Sequence, residues 1–83
     1  MKKVYKRFGI VNWDVVSDPQ LSSQSKALYA LLCVFCGDKG ECHPSISTLA
    51  DYLDKSPRQV SRLIKELKEF NIIRRIGRKI VLC

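Results

Sequence analysis

The sequence predicts a mainly α domain in which three helices are followed by a small β-hairpin. Three observations support this fold class. Apolar residues recur at steps of three and four in three separate stretches, which is the spacing of amphipathic helices. Each of these stretches opens on a serine, a residue that caps helix N-termini well. Two β-rich runs then flank Gly77-Arg78, a pair suited to a tight hairpin turn.

Length and composition indicate one soluble globular domain. The chain has 83 residues, of which 46% are hydrophobic and 28% charged, enough for a single small core. Its longest uncharged apolar run, residues 27–36, is too short to span a bilayer. No signal peptide is evident, so we expect a cytoplasmic protein, with no membrane partner, whose four cysteines are reduced thiols.

The net charge of +7 is concentrated in the last third of the chain. Residues 1–54 carry six Lys or Arg and six Asp or Glu. Residues 55–83 carry nine Lys or Arg but only two Asp or Glu. A second basic cluster marks a predicted N-terminal arm at residues 1–7: Lys2, Lys3, Lys6 and Arg7. Concentrated positive charge indicates a polyanionic partner, most commonly nucleic acid, and the alternative is a generally basic solvated surface.

The segment after this arm is predicted to hold an edge strand and the first helix. Residues 8–11 are short and apolar enough for the strand, and Trp13 is expected to lie over the core as a lid. The first helix begins at Ser22 or Ser23 and ends at Gly37, which leads into a polar loop. Five apolar residues form its expected buried stripe: Ala27, Leu28, Leu31, Leu32 and Phe35.

Two further helices are separated by a tight turn. Ser45 is suited to cap a helix over residues 46–53, and Ser56 a helix over about 57–70. In the latter, Pro57 suits the first helical position and Gln59 completes a Ser-x-x-Gln capping box. A helix of about nine residues, a turn of about three and a longer capped helix is the spacing of a helix-turn-helix.

The helix over residues 57–70 has an apolar face and a basic face. Its apolar stripe consists of Val60, Leu63, Ile64, Leu67 and Phe70. Its basic residues fall on a different side, and such a helix fits the DNA major groove with its N-terminal residues forward. Arginine can contact guanine at two atoms, glutamine can contact adenine, and serine suits a phosphate or either base. The alternative is that these side chains only solvate the outer face. The candidate DNA-binding residues of this helix are Ser56, Arg58, Gln59, Ser61, Arg62 and Lys65.

The hairpin over about residues 72–83 is the second basic element. Gly77-Arg78 fits a two-residue type II′ turn, which requires glycine first. A basic hairpin beside the helix can follow the DNA backbone or enter the minor groove, while Ile73 and Ile80 close the core. The sequence does not establish the strand register, so which arginine of the first strand points outward stays open. The candidate DNA-binding residues of the hairpin are Arg74, Arg75, Arg78 and Lys79.

Metal and enzyme chemistry find little support in the sequence. Three cysteines and the single histidine could form a Cys3His zinc site: Cys33, Cys36, Cys42 and His43. The first two of these lie inside a predicted helix on an apolar stripe, where unpaired cysteine is a common core residue. There is also no glycine-rich phosphate loop and no paired carboxylate outside turns and helix surfaces. We therefore expect no metal, no cofactor and no catalytic residues.

The predicted order of strand, helix, helix, turn, helix and hairpin is that of a winged helix. Three segments carry a closer resemblance: LS…ALYALL in 21–32, GECHPS…TLA in 40–50 and SPRQVSR…L in 56–67. They resemble the winged helix-turn-helix domain at the N-terminus of phage and plasmid replication proteins of Gram-positive bacteria, including DnaD-like replisome organisers and RepA-type initiators. The resemblance covers about residues 8–76. It implies a recognition helix at 57–70 with DNA contacts from Ser56, Arg58, Gln59, Ser61 and Arg62.

These observations predict a winged helix-turn-helix domain over residues 8–83 that binds double-stranded DNA, in phage or plasmid replication initiation or organisation. The same module serves GntR-like and MarR-like transcription regulators, and a winged helix can also bind an acidic protein. Transcription regulation and protein binding are therefore the two alternative functions. Replication proteins are candidate partners. The oligomeric state is open, with a dimer as one possibility.

Overall fold

The computed structural model describes residues 9–83, which form four α-helices and a small antiparallel sheet. The predicted mainly α fold with a C-terminal hairpin is confirmed. None of the helices within residues 9–83 is long and apolar enough to cross a membrane. The arm at residues 1–7 lies outside the described residues. The elements are α1 (Trp13–Val16), α2 (Ser23–Cys36), β1 (Glu41–Cys42), α3 (Ile46–Leu53), α4 (Pro57–Glu69), β2 (Ile73–Ile76) and β3 (Lys79–Leu82).

Helix α2 is the central helix of the core. It begins where predicted, because the Ser22 hydroxyl accepts a hydrogen bond from the backbone N–H of Ser25 at 3.2 Å. The predicted stripe was partly wrong: Ala27 is exposed, and Leu31 and Phe35 are only half-buried. Helix α2 packs against α4 and both β1 and β3, which turns another side of this broadly apolar helix inward. The buried residues are Ser25, Leu28, Tyr29, Leu32, Cys33 and Cys36.

Helices α3 and α4 pack against each other and form the predicted helix-turn-helix. The Ser45 hydroxyl caps α3 by accepting from the backbone N–H of Thr48 at 3.1 Å. Asp54 ends α3 in the left-handed region at a φ of 54°, and α4 begins three residues later. Helix α4 buries the predicted apolar residues Val60, Leu63, Ile64 and Leu67, and Phe70 packs half-buried at its end.

The sheet has the strand order β1-β3-β2, with the hairpin formed by β2 and β3. Gly77 has a φ of 60° whereas the φ of Arg78 is not positive, as a type II′ turn requires. Strand β1 lies in a segment that the sequence predicted as loop. Two residues are too few to show an alternation, and β1 exists because β3 pairs with it, Cys42 opposite Ile80.

The segment before α2 differs from the prediction in two respects. Residues 9–11 form no strand. Gly9 approaches α2 closely, because a side chain at this position would sit 2.9 Å from backbone atoms of Cys33 and Val34. Trp13 is not a core lid, since its side chain is 75% exposed. The Asn12 side chain accepts from the backbone N–H of Asp14 at 2.8 Å and starts α1. That helix turn directs two valines, not Trp13, toward the core: Val15 and Val16.

Candidate nucleic-acid interface

The outward face of α4 is basic. Because successive helical residues turn by about 100°, Arg58, Arg62 and Lys65 lie on the side opposite the buried residues Val60 and Leu67. All three cations are exposed. The structure thus brings the predicted cationic residues of α4 together on one accessible surface.

The N-terminus of α4 is held by a reciprocal capping box, as predicted. The Ser56 hydroxyl accepts from the backbone N–H of Gln59 at 3.2 Å, and Gln59 Oε1 accepts from the backbone N–H of Ser56 at 3.0 Å. Ser56 and Gln59 are therefore exposed but already bonded to each other, while Ser61 is exposed on the flank of the helix. Only the amide nitrogen of Gln59 is left without a role in the cap.

The hairpin places a second group of cations beside α4, since β2 packs against that helix. Arg74 pairs with Val81 and Arg75 with Ile80 across the two strands. Arg75 lies on the same face of the hairpin as the buried Ile80, and Arg74 lies on the opposite, outward face. The side chains of both arginines are nevertheless exposed to solvent. Arg78 is exposed in the turn.

Lys79 is the candidate residue whose charge is partly compensated. Its Nζ lies 3.4 Å from a carboxylate oxygen of Glu41 on β1, and both side chains are more than a third exposed. Such a surface pair contributes little stability, but it reduces the positive charge that Lys79 offers to an anion. The sequence did not indicate Glu41 as its partner, because the strand that positions Glu41 was not predictable.

The packed helices and the turn between α3 and α4 are reflected in the comparison with known families. The helix-turn-helix domain family matches residues 20–73, from the turn before α2 to the first residue of β2. The chain belongs to the helix-turn-helix domain family. Comparison with curated proteins gives no match, and comparison with solved structures gives none. Membership in this family supports DNA as the partner of the domain.

In the helix-turn-helix domain, a carboxylate that the sequence analysis did not identify connects α4 to α2. Glu66 accepts a hydrogen bond from the backbone N–H of Ser22, the N-cap of α2, at 3.0 Å. This hydrogen bond holds the pKa of the Glu66 carboxyl below its usual value. No sequence pattern connects the two residues, which are 44 positions apart. Together with Glu69, Glu66 ends the basic surface of α4 after Lys65.

Three of the four cysteines belong to the core of the helix-turn-helix domain, and Cys83 is exposed. Cys33, Cys36 and Cys42 are buried, and the sulfur atoms of Cys36 and Cys42 are 2.6 Å apart. Burial raises the pKa of all three thiols, that of Cys36 to about 12, so they are protonated at neutral pH. His43 is exposed and takes no part in this contact. Within residues 9–83, no three His, Cys, Asp or Glu side chains are grouped to hold a metal ion.

Proposed function

We propose that this helix-turn-helix domain binds double-stranded DNA with α4 in the major groove and the hairpin on the flanking backbone or minor groove. The observation that carries the proposal is the pairing of two exposed basic elements that pack against each other, α4 and β2. Charge alone would suit any polyanion. A capped helix that presents its N-terminal residues beside a basic hairpin suits a duplex groove.

In this proposal the ten candidate residues divide by role. Arg58, Arg62 and Gln59 face the base edges, and Ser56 and Ser61 lie beside them near the phosphates. The remaining five are cations that neutralise the backbone. Four of them are free to do so, Lys65, Arg74, Arg75 and Arg78, and Lys79 contributes less because of its ion pair with Glu41.

We further propose a cytoplasmic, non-enzymatic role in phage or plasmid replication initiation or organisation. The support is the resemblance of residues 8–76 to the N-terminal domains of such replication proteins, whose assemblies are the candidate protein partners. Regulation of transcription is the second candidate, since the same module serves both processes.

Titration of labelled duplex DNA at increasing salt tests DNA binding directly. With four backbone-facing cations, log K should fall against log salt with a slope of about −3.6 or steeper. An affinity that is undetectable at low salt, or that does not change with salt, would refute the proposal. Selection of bound sequences from random duplexes then distinguishes replication from transcription. Iterated sites favour a replication initiator, and a single palindrome favours a dimeric transcription regulator.

A further inference from the structure

Resting on the proposed function, we propose that α4 recognises guanine-containing duplexes through hydrogen-bond donors alone. Arg58 and Arg62 each contact one guanine at its N7 and O6 atoms. Gln59 contributes only its amide NH2 group, because its oxygen belongs to the capping box. The two-point contact of glutamine with adenine is therefore excluded at this helix.

The spacing of the two arginines suits guanines that lie on adjacent base pairs or are separated by one base pair. They are four residues apart on the outward face of α4, which separates their Cβ atoms by about 5–6 Å. This separation lies between one base-pair step of about 3.4 Å and two steps of about 6.8 Å along a strand. Within residues 9–83 the one ion pair joins Lys79 to Glu41, so neither guanidinium is held by a carboxylate. Both are free to take the fork-shaped contact with guanine.

The capping box determines what Gln59 can offer to a base. An adenine contact requires the amide oxygen to accept from N6 while the amide nitrogen donates to N7. Gln59 Oε1 instead accepts from the backbone N–H of Ser56 at 3.0 Å, and the Ser56 hydroxyl lies 3.3 Å away. The orientation of the amide follows from chemistry, since the N–H of Ser56 needs an acceptor and the NH2 group provides none. The oxygen therefore faces the helix start, and only the NH2 group can face a base.

The experiment is selection of bound duplexes from a random pool by the full chain, followed by titration of the enriched sequences. We expect two guanines, on either strand, separated by no more than one base pair. Arg58→Ala and Arg62→Ala should each remove the preference for one of them, with a loss of discrimination on the order of 5- to 150-fold. Lys68→Ala is the matched control, because it removes one exposed positive charge from the side of α4 and should leave base preferences unchanged.

A second variant tests the restriction on Gln59. Glutamate also completes a capping box, so Gln59→Glu keeps the helix start while it replaces the NH2 donors by acceptors. We expect its preferred base at the position facing residue 59 to change to cytosine, whose N4 group is a donor. Thermal unfolding monitored by circular dichroism verifies that each variant is folded.

The outcomes separate this inference from the proposed function. Salt-dependent duplex binding with the same base preferences in Arg58→Ala, Arg62→Ala and Lys68→Ala would overturn the guanine assignment and leave DNA binding intact. An adenine preference of the unaltered chain that disappears in Gln59→Ala would overturn the donor-only reading. Absence of duplex binding at low salt would refute the proposed function itself.

Discussion

The start of α4 offers a quantitative test of how its sequence determines its structure. Ser56→Ala removes the hydroxyl that accepts from the backbone N–H of Gln59 at 3.2 Å. The reverse hydrogen bond, from the backbone N–H of Ser56 to Gln59 Oε1 at 3.0 Å, does not need that hydroxyl. The substitution therefore breaks one half of the capping box and leaves the other half in place.

The expected loss of stability follows from the exposure of this site. Ser56 and Gln59 are both exposed, so the released N–H of Gln59 can bond to water and no buried group is left unpaired. Loss of a serine N-cap costs about 0.5–2 kcal/mol, typically about 1 kcal/mol. In a domain of this size, 1 kcal/mol lowers Tm by about 4–8 °C. We expect a decrease within this range for Ser56→Ala.

Urea and thermal unfolding monitored by far-ultraviolet circular dichroism measure this effect. Ser61→Ala is the control, since it makes the same chemical change at an exposed position inside α4, where alanine is favoured over serine by roughly a few tenths of a kcal/mol. If Ser56→Ala were as stable as Ser61→Ala, the reasoning that the capping box stabilises α4 would be wrong.

Three further predictions concern charge and pH. Glu66→Gln should lower the free energy of unfolding by less than about 1 kcal/mol at pH 7, because solvent screens this half-exposed carboxylate. Since folding lowers the pKa of Glu66, this stabilisation is present above about pH 4.5, and the difference between the two proteins in urea titrations should shrink as the pH falls below that value. Cys36 has a raised pKa of about 12 against 9.0 when unfolded, so stability should decline as pH rises from 9 to 12, and Cys36→Ala should show a smaller decline in alkaline unfolding curves. Glu41→Gln should release Lys79 and make the salt slope of DNA binding steeper by about 0.9, whereas an unchanged slope would exclude Lys79 from the interface.

The elements that sequence reasoning placed correctly are those with local signals. Ser22, Ser45 and Ser56 each accept a hydrogen bond from an N–H three residues further along, so helix starts are readable from adjacent residues. The turn at Gly77 is equally local, because a positive φ at the first turn position calls for glycine. These signals were sufficient to predict the helix-turn-helix and the hairpin.

The errors share a different cause, which is dependence on distant partners. Trp13 is apolar but exposed, because the cap at Asn12 sets the direction of a single helical turn. Ala27 lies outside the core, because α2 is apolar around much of its circumference and its neighbours decide which side is buried. Strand β1 has only two residues and depends on hydrogen bonds to β3.

For the candidate interface, the sequence by itself determined that α4 is a capped helix with an apolar side and a basic side, since the hydrogen bonds and periodicity involved span only a few residues. Only the tertiary structure decided which charges are free. The carboxylates of Glu41 and Glu66 are brought to Lys79 and Ser22 across 38 and 44 positions of the chain, through packing that no local pattern encodes. The physical reason is that residues adjacent in the sequence determine on which side of a helix a side chain lies. The residues that this side chain contacts elsewhere in the protein are determined by the whole fold.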